Sequence, residues 1–145
     1  MQPSNPAHEY LRTRVLTASP EELRLMLLDG AIKFAMKARE GLESKNHEAI
    51  YSGFTSCRNI VTELLTSIRS DPNPALAEKV RALYSFIFKL LVEAAFEKDI
   101  AKLDKAIELL QYERETWVLL MQKVSQERAA ASNSNEPRVA LSVQG

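Results

Sequence analysis

Few side chains in this sequence could do chemistry. Cys57 is the single cysteine, and His8 and His47 are the only histidines. A thiolate nucleophile would need Cys57 to stand exposed beside one of those imidazoles. Cys57 instead falls in the series Ile50, Phe54, Cys57, Val61, Leu64, Ile68, whose 4-3-4-3-4 spacing is a single helical stripe. It therefore reads as a small core residue, and with no second cysteine an internal disulfide is excluded. Neither histidine follows a glutamate by three residues, the spacing a di-iron helical bundle uses. One cysteine supplies no zinc set, and no glycine-rich phosphate loop occurs. His47 sits by an expected turn and lacks the Lys-Gly spacing of a phosphotransfer domain, so it reads as a solvated residue at a helix start. The carboxylates are scattered along helices among Lys and Arg, the pattern of a solvated face. The expectation is a protein that is not an enzyme and that uses no metal or cofactor.

Composition narrows the class further. The 145 residues fit one domain with a real core, at 46% hydrophobic and 26% charged. Nineteen basic residues balance nineteen acidic ones, so no net field favours nucleic acid or an anionic membrane. Met1 to Glu9 is polar and lacks the apolar stretch of a signal peptide. Aliphatic runs such as Leu25 to Leu28 are far too short to span a bilayer. The expected location is the cytoplasm.

The breakers organise the chain into helices. There are four glycines and six prolines, against plentiful Ala, Leu, Glu and Lys. Residues 1–18 read as an irregular leader. Ser19-Pro20-x-Glu22 is a capping box with proline at the first helical position. Asn46, with Glu48 in the first turn, opens a second helix expected to reach about Ser70. Asp71-Pro72-Asn73-Pro74 is a turn that ends on the same cap-then-proline device. A third helix follows to about Lys98, and Asp99 caps a fourth that ends near Arg128; one continuous helix from Pro74 onward also fits. The Ser-, Asn- and Ala-rich tail, 129–145, is expected to be disordered, although Val139, Leu141 and Val143 alternate in a way that could dock. The fold class expected is all-α, an antiparallel up-down four-helix bundle over 19–128 with an irregular N-terminal segment.

Two of these helices carry more apolar surface than one core face needs. On the first, Leu23, Leu27, Phe34 and Ala38 form a stripe for the bundle, and Leu25, Leu28, Ile32 and Met36 form a second stripe well away from it at 100° per residue. On the third, Leu83 to Phe96 holds only three strongly polar residues, Ser85, Lys89 and Glu93, at intervals of four. The surplus fits either two-sided burial or a groove for an apolar partner segment. Burying each of Leu25, Leu28, Ile32 and Met36 contributes roughly 1.5–3 kcal/mol, enough to offset the cost of ordering a bound peptide.

The block Tyr10-x4-Val15-x-Thr17-Ala18-Ser19-Pro20-Glu21-Glu22-Leu23, continuing as Met26-Leu27-x-Asp29-Gly30-Ala31-Ile32-x-Phe34, resembles the signature of the FliS flagellar chaperones. Asn59-Ile60-Val61-x-Glu63-Leu64, Leu83-Tyr84-x-Phe86, and Asp99 with Leu109-Leu110 and Trp117 are similar to that family's later motifs, in order. The resemblance covers roughly residues 10–117. It departs at Leu28, where the family usually has an aromatic residue, and at Phe96, where it often has Asn.

The resemblance implies an antiparallel helical bundle that binds the disordered C-terminal segment of flagellin. It implies that binding prevents premature polymerisation in the cytoplasm and holds flagellin ready for the flagellar type III export gate. It also implies that the segment around Tyr10 can lie in the same groove. Together with the apolar stripes, it marks Tyr10, Val15, Leu25, Leu28, Ile32, Met36, Ile60, Leu83, Ile87 and Leu91 as candidate flagellin-binding residues. The competing reading is a helical scaffold that uses the same surplus to form a weak homodimer.

Overall fold

The computed structural model describes residues 6–70 and 73–144, with side chains described through Asn133. The Asp71-Pro72 half of the expected turn and the side chains of Val139, Leu141 and Val143 lie outside the described residues. Five α-helices and no strands occur among the described residues: α1 Pro6–Thr17, α2 Pro20–Ser44, α3 His47–Thr66, α4 Pro74–Glu97 and α5 Ile100–Gln144. The chain divides into two compact units, Met1–Arg114 and Glu115–Gly145. The second unit is the distal part of α5.

The helix starts follow from their caps. The Ser19 hydroxyl accepts the Glu22 N–H at 3.1 Å, and Pro20 occupies the first turn. Asn46 accepts from Ala49 N–H, and Asn73 from Leu76 N–H, each at 3.1 Å. Asp99 accepts from Lys102 N–H at 3.2 Å. Each cap satisfies an amide that has no partner inside its own helix. Two helix ends share another device. Lys45 and Lys98 adopt left-handed backbone, at φ 56° and 54°. The amides of Lys45 and Asn46 both bond to Gly41 C=O, and those of Lys98 and Asp99 both bond to Ala94 C=O. Each joint reverses the chain in two residues. The second one separates α4 from α5, so the continuous helix from Pro74 onward is not formed.

Three expectations are corrected. The leader is the helix α1 for most of its length, although none of its residues is buried. Tyr10, Leu11, Val15 and Leu16 point around the whole helix and leave no amphipathic signature to read. The helix α3 stops at Thr66, short of Ser70, because Ser67 closes it: its N–H reaches Glu63 C=O and its hydroxyl bonds Leu64 C=O. The helix α5 continues past Arg128 to Gln144, in keeping with the absence of any glycine stop between the two.

The core of the first unit sets Leu28, Ala31, Ala35, Ala38 and Gly41 of α2 against the apolar stripe of α3. It is completed by Ala77, Tyr84, Ile87, Leu90, Leu91 and Ala94 of α4 and by Leu103, Ala106, Ile107 and Leu110 of α5. Cys57 lies inside it, as the stripe predicts. The expected core stripe of α2 is only partly right. Ala38 is buried, Leu27 and Phe34 are half-buried, and Leu23 is exposed. The reason is the closeness of α3. A Cβ on Gly53 would lie 2.6 Å from Ala38 N and 2.8 Å from Phe34 O, and one on Gly41 would lie 2.8 Å from Ile50 N. Helices meeting at such a distance leave room for Ala and Gly but not for Leu. Gly30 against Ile60, Gly41 against Ile50 and Gly53 against Ala38 run in opposite directions along the two helices, so α2 and α3 are antiparallel.

Gly53→Ala tests this packing. A methyl group there meets backbone on the facing helix, which cannot move aside as a side-chain tip would. The expected cost is about 1–3 kcal/mol of stability, read as a lower urea midpoint. An equal or higher midpoint would show that α2 and α3 have slack at Gly53.

Candidate functional site

The structure sorts the ten sequence-predicted residues into three groups. Leu28, Ile87 and Leu91 are fully buried; they belong to the core, and their place on a surface groove is corrected. Leu28 sits at the edge of the second α2 stripe, on the side of the buried Ala31 and Ala35, so the core takes it. On α4 the sequence marks the wrong flank, because Ile87 and Leu91 face inward. Leu25, Ile32, Ile60 and Leu83 are half-buried, and Ile60 lies over Gly30 of α2. Tyr10, Val15 and Met36 are exposed. The two leader residues project from α1, which places them on a separate helix from the other eight.

The second α2 stripe turns out to have a neighbour. Asp29 and Arg39 lie on the same face as Leu25, Ile32 and Met36. Asp29 pairs with Arg114, and the Arg39 guanidinium donates to Asp104 at 2.6 and 3.3 Å while also pairing with Glu43. These pairs tie α2 to α5 on either side of Ile32 and Met36, so α5 borders the stripe. The nearby carboxylates raise the pKa of Arg39, chiefly through the Asp104 hydrogen bond.

The candidate residues read from the sequence leave out the outer α4 face, although Phe96 stands out there as a departure from the family pattern. Phe86, Val92 and Phe96 are exposed, Phe96 at 89%. With Ser85 and Lys89 they form one continuous strip along the helix. The signal was present: the strip assigned to water by Ser85, Lys89 and Glu93 has Phe86, Val92 and Phe96 one or three residues from those polar positions. A row of large exposed apolar side chains is uncommon on a helix with no partner.

A polar chain crosses the other side of α4. Arg24 of α2 donates to the Tyr84 hydroxyl at 3.1 Å, and that hydroxyl donates to Glu113 of α5 at 3.1 Å. The Arg24 guanidinium also lies 5.5 Å from the centre of the Tyr84 ring, within cation–π range. Further along, Lys102 bridges Glu93 and Glu97, each at 2.9 Å. The Lys102 hydrogen bond lowers the Glu93 pKa, and the two carboxylates raise that of Lys102. These contacts hold helices together. Among the described residues no group of three or more His, Cys, Asp or Glu is placed to hold a metal ion, and no helix is long and apolar enough to cross a membrane.

The model of the family described as "Flagellar protein FliS" matches residues 3–124. The chain belongs to the FliS family. It is 28% identical over 124 residues to the flagellar secretion chaperone FliS of Bacillus subtilis (strain 168), covering 86% of this chain and 92% of that one. It is 26% identical over 120 residues to the chaperone of the same name from Salmonella typhimurium, covering 82% and 89%. Against that of Escherichia coli (strain K12) it is 22% identical over 108 residues, covering 74% and 79%. The matched span includes all of α2, α3 and α4 and runs into the distal part of α5.

Two buried groups give this FliS-family core a pH signature. Burial pushes the Cys57 thiol up from 9.0 to about 12, opposed by the charge of Arg58. Burial likewise pushes the Tyr84 phenol up from 10.0 to about 12, with Arg24 opposing and Glu113 adding to the shift. Both groups are neutral when protonated, so their raised folded values leave the native state holding protons that the unfolded chain has released. Stability is unaffected below about pH 9 and falls as pH rises through 9 to 12, by at most about 1.4 kcal/mol per pH unit per group. Urea unfolding between pH 7.5 and 10.5 should show this decline. Cys57→Ala should flatten the part that begins near pH 9; the same slope in that variant would place the cause elsewhere.

Proposed function

We propose that this chain is an export chaperone of the flagellar secretion system that binds the C-terminal segment of flagellin. The match to the FliS family over residues 3–124 carries the reading. In this reading α2 to α5 work as an antiparallel four-helix bundle, a rigid body on which a disordered partner segment folds. Binding keeps flagellin from polymerising in the bacterial cytosol and presents it to a component of the type III export gate. No catalytic step is involved.

The surface supports this role in a way the buried candidates do not. A partner helix laid along α4 would cover Phe86, Val92 and Phe96, and each such residue contributes roughly 1.5–3 kcal/mol when fully buried. Met36 and the half-buried Leu25 and Ile32 offer a second, narrower apolar strip beside α5. Leu28, Ile87 and Leu91 act indirectly, as the packing beneath these surfaces.

Calorimetry with the purified chain and a peptide of the cognate flagellin C-terminal segment tests the proposal. Coupled folding and burial should give a negative heat-capacity change. Phe86→Ser and Phe96→Ser should each weaken binding about tenfold, the loss expected of a contact worth more than a kcal/mol, while leaving the melting temperature almost unchanged. Ile32→Asp should weaken binding if its stripe is used; unfolding of the free protein would assign Ile32 to the core instead. No binding heat at several temperatures, with a dimer in size-exclusion chromatography, would replace the chaperone reading with the homodimeric scaffold.

A further inference from the structure

The helix α5 is tied to its neighbours at two levels. Near its start, Lys102 meets Glu93 and Glu97 of α4, and Asp104 meets Arg39 of α2. At this level the Lys98-Asp99 joint also holds the helix covalently close to α4. Ten residues further on, Glu113 and Arg114 reach in two directions. Glu113 accepts from Tyr84 of α4, which in turn accepts from Arg24 of α2, and Arg114 pairs with Asp29 of α2. The first compact unit ends at this residue. No chain reversal holds α5 here, so its docking at Glu113 and Arg114 rests on non-covalent contacts.

We propose that the Arg24–Tyr84–Glu113 chain and the Asp29–Arg114 pair together form a latch on the last turn of α5 within the first unit. Closed, it holds that turn against α2 and α4. Open, it frees the turn and uncovers Leu110 and the Tyr84 ring, both of which are fully buried in the closed form. The latch has two parts with different physics. The Tyr84 hydroxyl serves both neighbours at once, so its loss breaks the ties to Arg24 and to Glu113 together. Hydrogen bonds to charged groups are the stronger kind. The Asp29–Arg114 pair is about half exposed at both side chains, so salt screens it. The device therefore has a buried part set by the phenol and an outer part that responds to ionic strength. It stands on these contacts alone and does not depend on the flagellin reading.

Hydrogen exchange on the full chain, followed by mass spectrometry, tests it. Tyr84→Phe keeps the ring and removes the hydroxyl. Exchange across residues 107–114 should become about three- to tenfold faster, while the α3 amides from 54 to 64 stay unchanged. Asp29→Asn should accelerate the same segment by a smaller factor. The unaltered chain in 1 M NaCl should match that variant, and the variant should gain nothing more from salt. Unchanged exchange at 107–114 in both variants would overturn the proposal. So would an equal acceleration in α3, which would mark a loss of overall stability. If Tyr84→Phe does not fold, Asp29→Asn and the salt series decide the matter, because that pair lies at the surface.

Discussion

The distance between α2 and α3 governs the rest of the first unit. At Gly53 the two backbones are so close that no side-chain carbon fits between them. From Ala31 to Gly41 the buried side of α2 is accordingly small, with Ala31, Ala35, Ala38 and Gly41 there, and Leu28 is the one large buried residue of the helix. Leu27 and Phe34 are displaced to the flanks and keep partial exposure. Bulk in the core comes instead from Phe54, Val61 and Leu64 of α3 and from α4 and α5. The same approach fixes the register of the pair, since sliding by one residue would bring a side chain against backbone at Gly53.

The fourth partner is held differently. The buried residues of α5 within the first unit are Leu103, Ala106, Ile107 and Leu110, and polar contacts flank them. A seam of this kind tolerates rearrangement better than one in which backbones touch, because exposed ion pairs contribute little each and exchange readily with water. Dense packing and adjustable polar seams therefore coexist in one small body. A chaperone has use for both: a surface that keeps its shape, and edges that can yield.

The sequence displayed its helix starts more clearly than its faces. Ser19-Pro20, Asn46, Asn73-Pro74 and Asp99 were readable because a cap is a local event involving three or four residues. The burial of Cys57 was readable because α3 has one clean stripe. The inner face of α2 was not, since hydrophobicity points to Leu and the facing helix demanded Ala; that demand comes from Gly53, twelve or more residues away. On α4 the apolar run is so long that spacing alone could not tell which flank faces outward, so Ile87 and Leu91 are among the candidates and Phe86 and Phe96 are not. The helix α1 escaped notice because it buries nothing, and periodicity reports burial rather than helicity. The family membership was legible through the block from Tyr10 to Phe34, much of which forms the caps and close contacts described here.

The paired joints at Lys45-Asn46 and Lys98-Asp99 have a kinetic meaning. Each joins two long helices through a left-handed lysine followed by a capping residue. Each helical hairpin thus brings together residues close in sequence, and closing it costs little chain entropy. Such topologies belong to the fast end of the folding spectrum. A newly made chain can assemble α2 with α3 while α4 and α5 are still emerging, so little apolar surface need wait uncovered. For a member of the FliS chaperone family, early concealment of its own apolar surface is a fitting property of the joints.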